Sequence, residues 1–198
     1  MTSEMPDIKL GRRIVIWGAT GSGKTTLAFE LGRRLGLCVV DLDAIRHANG
    51  WDSTPWDEFR AVLTKRLDSH PEGWVIAGSY SAIMDVYLSR ADTLLWLHFP
   101  WRVSFWRLFK RMVAQAWDQR EIYPGSPARE SWGLIFFSRQ SLLLWSITHH
   151  RSGTRNIRER IAALPESIRA YELRMAKQVK VLLEGVGGKQ PNYCLKSS

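Results

Sequence analysis

The sequence predicts an α/β fold: a parallel sheet of about five strands held between two layers of helices, with a helical insertion after the fourth strand. Three observations carry this. Short apolar runs rich in β-branched residues alternate with longer helical segments, the pattern of strands buried on both faces. The first run passes through a glycine-rich turn directly into a helix. At 198 residues and 45% hydrophobic content, the chain suits one domain with a sizeable core.

The elements follow in order. Ile14–Trp17 reads as the first strand, and Lys24–Leu35 as a helix with Leu27, Ala28, Leu31 and Leu35 on one face. Leu37–Asp41 reads as the second strand. Thr54-Pro55 marks a helix start, with Thr54 as N-cap, Pro55 at the first helical position and Asp57 and Glu58 in the first turn. That helix runs to Ser69, followed by a strand at Trp74–Ala77, a helix at Ala82–Ser89 and a strand at Thr93–Phe99. Helices are expected at Trp101–Ala116, Trp132–Thr148, Asn156–Leu164 and Glu166–Lys177, with a last strand at Val179–Leu183. The domain is expected over 12–186, its lid over about 112–155, with flexible ends at 1–11 and 187–198.

The segment Gly18-Ala19-Thr20-Gly21-Ser22-Gly23-Lys24-Thr25-Thr26 fits G-x-x-x-x-G-K-[ST] at every fixed position. Glycines let successive backbone N–H groups turn inward around a phosphate, since no Cβ blocks the approach. The helix that follows adds its positive N-terminal end. Lys24 is placed to reach the β- and γ-phosphates, and the Thr25 hydroxyl to ligate Mg²⁺. ATP with Mg²⁺ is the expected ligand.

Absences narrow the class. The sequence has no guanine-reading N-K-x-D, and the third strand ends in Ala77-Gly78-Ser79-Tyr80 without a carboxylate. The acids come instead after the second strand, as Asp41-Leu42-Asp43. In a parallel sheet, neighbouring strands open into one crevice at their carboxyl ends. Alternation there would turn both carboxylates to the same side. One then serves a Mg²⁺-bound water and the other accepts a substrate proton. Asp41 is assigned to the metal and Asp43 to catalysis, with the roles exchangeable; the competing reading is an Asp-x-Asp that caps a following helix.

The net charge of +9 points to anionic partners. Arg102 to Arg160 holds eleven Arg/Lys against four Asp/Glu. No recognition motif for nucleic acid accompanies this excess, so a nucleic-acid partner is the lesser expectation. Arg139 interrupts the apolar run Trp132–Thr148, which argues against a membrane span and for a core or subunit-facing helix, leaving a homo-oligomer open. Met1–Lys9 lacks the apolar stretch of a signal peptide, and Cys38 and Cys194 form no disulfide framework; both fit the cytoplasm. Cys38 reads as packed in the core.

GATGSGKT, DLDAIRHANGWDSTPWDEFR, WVIAGSYS and ADTLLWLHFPWRVSFWRLFKR together resemble the adenylate-kinase-like P-loop proteins labelled DNA topology modulation proteins. The resemblance runs over about residues 12 to 185. It implies a P-loop kinase core with a mobile lid, acting on a small-molecule acceptor: a nucleotide, a nucleoside or another hydroxyl compound. It further implies that Arg107 stacks on the adenine side of ATP and that Arg111 meets the phosphates. Arg151, Arg155 and Arg158 resemble lid arginines that close on the transferring group, for which a planar guanidinium is suited. Gly185 resembles the adenine-side loop. Ala77 departs from the pattern, in which an acid precedes this glycine; its absence places the burden on Asp41 and Asp43. Trp51, Trp56 and Tyr80 lie where acceptors bind in related kinases, with Trp56 read as core packing. His47 is a further candidate beside Arg46.

Overall fold

A computed structural model describes residues 8–47, 54–118 and 153–186, with only the backbone of α5 described beyond residue 110. Five parallel strands form one sheet in the order β2-β3-β1-β4-β5. They are β1 (Arg13–Gly18), β2 (Cys38–Asp41), β3 (Trp74–Ala77), β4 (Thr93–Leu97) and β5 (Arg169–Leu173). The helices are α1 (Lys24–Leu35), α2 (Leu42–Arg46), α3 (Trp56–Asp68), α4 (Met84–Leu88), α5 (Trp101–Asp118), α6 (153–162) and α7 (Ala176–Gly185). A 3₁₀ turn at Ser81–Ile83 leads into α4. The three-layer α/β class expected from the sequence is what the chain adopts.

Strand alternation divides the interior into two cores. Val15, Trp17, Trp74, Ile76, Leu94 and Trp96 face α3 and α4, where Phe59, Leu63, Leu67 and Tyr87 meet them. Ile14, Ile16, Val75, Ala77, Leu95 and Leu97 face the opposite way, onto Leu27, Ala28 and Leu31 of α1 and Leu182 of α7. β1, β3 and β4 are therefore apolar at nearly every position, as strands covered on both sides must be. Cys38 is buried, as expected.

The C-terminal segment reverses the expected order. Glu166–Lys177, expected as a helix, contains strand β5; Val179–Leu183, expected as a strand, lies inside α7. β5 is an edge strand paired with β4 alone, so Arg169 and Ala170 are exposed and its sequence lacks the apolar run of the inner strands. In α7, Val179, Leu182 and Leu183 recur at helical spacing against the α1-side core, which makes a β-branched run helical. Gln178 Oε1 fixes the start of that helix by accepting from the backbone N–H groups of Arg174 (2.7 Å) and Met175 (3.0 Å). Gly185 is consequently the last residue of α7 and follows no strand. Its adenine-loop assignment is corrected on that ground: the connection after β5 begins at Arg174.

Two further expectations change. Thr54 does not cap α3; its hydroxyl donates to the carbonyl of Ile45 (2.9 Å) and its N–H to that of Arg46 (2.9 Å), tying the start of α3 back to α2. Trp56 is 42% exposed, so it is no core residue. Its ring stacks near Phe59 at 6.1 Å and carries the Arg46 guanidinium 3.8 Å from its centroid. The expected helix at Trp132–Thr148, with most of the lid, lies outside the described residues. No described helix is long and apolar enough to cross a membrane.

Candidate functional site

β1 ends in Gly18, and the chain turns through the glycine-rich loop into α1, with Gly23 as N-cap at φ 93°. Two glycines are demanded by space. At Gly18 a Cβ would stand 2.7 Å from Ser22 Oγ and 2.9 Å from the Leu97 carbonyl oxygen. At Gly21, with φ +78°, it would stand 2.5 Å from the Ser104 carbonyl oxygen on α5. A Cβ at Gly23 would meet nothing within 4 Å among the described residues. Ser22 N–H donates to Ala19 O (3.1 Å), and Lys24 Nζ donates to the same carbonyl (3.0 Å). Both bonds hold the loop curled over the helix start.

The acids meet this loop by two routes. Asp41 is the last residue of β2 and shares a side of the strand with Val39, which packs in the α1-side core. It therefore faces Thr25 at the top of α1, whose hydroxyl donates to Asp41 Oδ2 at 3.2 Å. Asp41 Oδ1 accepts from the Asp43 backbone N–H (3.0 Å), making Asp41 the N-cap of α2. Capping and contact with the P-loop threonine, alternatives in the sequence, coexist in one side chain. Asp43 lies in the first turn of α2 rather than on an extended strand, so alternation does not place it; the helix turn does. The Tyr80 hydroxyl donates to Asp43 Oδ1 at 2.6 Å. Asp-x-Asp followed directly by Ala44-Ile45-Arg46 was the available signal for α2, an N-cap with helix formers behind it.

Burial pushes the Asp41 carboxyl above its ordinary range, and the neighbouring Asp43 carboxylate pushes the same way; the bonds from Asp43 N–H and Thr25 pull it back in part. A hydroxyl and a carboxylate are the hard oxygen donors that Mg²⁺ takes. No group of three or more His, Cys, Asp or Glu residues poised for a metal occurs among the described residues. Asp41 also has Ala77 as its register partner on β3.

On the far side of the loop, Arg107 on α5 donates from Nη1 to the Ser22 carbonyl (3.4 Å) and lies 5.1 Å from the Phe99 ring centroid. Arg111 follows four positions later on α5. Arg155, on α6, is exposed and sits 3.7 Å from Glu159 on its own helix. Arg158 reaches the Trp96 ring at 5.8 Å. Arg151 and Trp51 lie outside the described residues. The structure thus brings together residues 18–26, Asp41, Asp43 and Arg107, while Arg155 pairs with Glu159 on its own helix and Gly185 ends α7. The sequence reading missed Arg46 as a structural partner: it stacks on Trp56 and donates to the Thr54 carbonyl, closing the α2–α3 connection.

Comparison with known proteins places the matching sequence in this same region. Residues 12–50 match the family model for isopentenyl transferase. Human and mouse tRNA dimethylallyltransferases are 51% identical over 39 residues, which is 20% of this chain and 8% of theirs. Mouse threonine synthase-like 1 is 36% identical over 56 residues, 28% of this chain and 8% of its own. The chain thus spans less than a tenth of the curated relatives it matches. The family-model match spans β1, the P-loop, α1, β2 with Asp41 and α2 with Asp43. Among solved structures, shikimate kinase from Bacteroides thetaiotaomicron aligns with a TM-score of 0.49 and 14% identity, over 88% of this chain and 95% of that one. A gluconokinase from Sinorhizobium meliloti 1021 aligns at 0.49 and 16%, over 90% and 93%.

Proposed function

We propose that this protein is an ATP-dependent phosphotransferase that moves the γ-phosphoryl group to a hydroxyl of a small acceptor. The observation that carries this reading is the convergence of Thr25, Asp41 and Asp43 beside the P-loop. The loop N–H groups and Lys24 bind the phosphates, and Thr25, with Asp41 behind it, would hold a Mg²⁺ ion. The ion would supply charge neutralisation to the phosphates. Asp43 takes the acceptor's proton as its oxygen bonds to the γ-phosphorus and the bond to the ADP oxygen breaks. Arg107 serves the nucleotide from the α5 side, and Arg111, Arg151 and Arg155 are assigned to the charge of the transferring group. Catalysis of this kind consists of positioning and electrostatics. The resemblance to adenylate-kinase-like proteins supports the same reading. Acceptor-dependent ADP release across nucleotides, nucleosides, sugars and hydroxy acids tests it, and ATP binding without ADP release from any of them contradicts it.

A second reading follows from the 51% identity to tRNA dimethylallyltransferases over 39 residues. There the P-loop would hold a phosphate-bearing substrate, and the basic central region would contact tRNA. Filter binding to tRNA against salt separates the two: RNA binding weakens steeply as salt rises, whereas phosphoryl transfer needs no RNA.

A further inference from the structure

We infer that Tyr80 is a positioning residue for Asp43, a role that rests on the phosphotransfer reading above. The Tyr80 hydroxyl donates to Asp43 Oδ1 across 2.6 Å, the short contact of a hydroxyl on a carboxylate. Its ring is fixed from α3. Phe59, fully buried, meets it edge-on at 5.6 Å and 76°, and Trp56 at 6.0 Å and 60°. Its backbone follows Gly78 and Ser79 directly after β3, and the next turn begins with Ile83 N–H donating to the Tyr80 carbonyl (3.3 Å). The phenol is thus built on the core, whereas Asp43 sits on a helix of five residues. One bond from the rigid partner fixes the rotation of the carboxylate on the short one. With Oδ1 occupied, Oδ2 is the oxygen assigned to the acceptor's proton.

Phosphoryl transfer asks little of base strength and much of placement, so placement governs and removing the hydroxyl slows the reaction. This gives Tyr80 a task other than stacking on a substrate ring: its own ring is engaged with Phe59 and Trp56, and its hydroxyl with Asp43.

A double-mutant cycle on the full chain tests the inference, reading ADP release from MgATP with water as acceptor, and ATP binding by calorimetry. Tyr80→Phe keeps both ring contacts. It is expected to lower kcat about tenfold, with the ATP Kd unchanged within about twofold. Asp43→Asn is expected to lower kcat about a hundredfold, and adding Tyr80→Phe to it to cost less than about twofold more. Independent losses that multiply in the double variant, or a faster Tyr80→Phe enzyme, overturn the positioning role and leave the kinase reading standing. A wild-type chain that binds ATP but releases no ADP, with water or with any acceptor tried, overturns both.

Discussion

Asp41 at the end of β2 accepts the hydroxyl of Thr25 at the start of α1, 3.2 Å away and sixteen residues earlier in the chain. The bond crosses from one strand end to a helix start two strands over, because β3 lies between β1 and β2. Parallel crossovers on one side of the sheet make such a meeting possible only at the carboxyl edge.

Asp41 is held at a cost in stability. Burial and the Asp43 carboxylate raise its folded pKa above the unfolded value of 3.8. A raised acid favours the fold where it is protonated, below the unfolded value, and that contribution is lost as pH rises through the folded one. Asp41→Asn is therefore expected to melt higher than wild type at pH 7 without Mg²⁺, with the difference shrinking as pH falls toward 3.8. The same variant should lose Mg²⁺-dependent ATP turnover. Thermal melts across pH check the first expectation and ADP release the second; a lower melting point at neutral pH contradicts the electrostatic argument.

Glu172 has the opposite sign. Burial raises its carboxyl, but hydrogen bonds from Arg174 (2.8 Å) and from His98 outweigh that and hold it below its ordinary value of 4.5. A depressed acid stabilises the fold above its unfolded value and ceases to as pH falls through its folded one. Glu172→Gln should cost about 1 kcal/mol at pH 7, a figure typical of partly exposed pairs. In denaturant titrations at successive pH values, the cost should fade below the ordinary carboxylate range. A difference independent of pH would show that packing, not charge, holds β5 to β4 there.

Gly21 and Gly23 separate space from backbone conformation. Both have positive φ, but a Cβ at Gly21 collides with α5 while one at Gly23 meets nothing. Gly21→Ala should destabilise by about 2 kcal/mol, and Gly23→Ala by about 1 kcal/mol, the left-handed penalty alone. Chemical denaturation of both variants checks the order, and equal losses would mean that α5 yields to the added methyl.

The inner strands were legible because burial on both faces leaves a continuous apolar run: Trp74–Ala77 is the same in sequence and structure. The P-loop was legible because its glycines and lysine answer a backbone requirement that few other residues meet. β5 was not, since an edge strand beginning with exposed Arg169 and Ala170 carries no such run. Tyr80 and Asp43 are 37 residues apart, and no local pattern announces a bond between them. Asp-x-Asp reads equally as a strand end facing the crevice or as a helix cap, and only the Asp43 N–H on Asp41 Oδ1 shows that a helix begins at Leu42.

Lys24→Ala provides the most direct test of phosphoryl transfer. Lys24 is the one positively charged side chain of residues 18–26 and rests on the Ala19 carbonyl at 3.0 Å; the proposed mechanism gives it the β- and γ-phosphates. Acceptor-dependent ADP release should fall by a factor of about 1,000 or more, while the circular-dichroism melt stays within a few degrees of wild type. A Lys24→Ala chain that turns over ATP at near wild-type rate would contradict the assignment of this loop as the phosphate site.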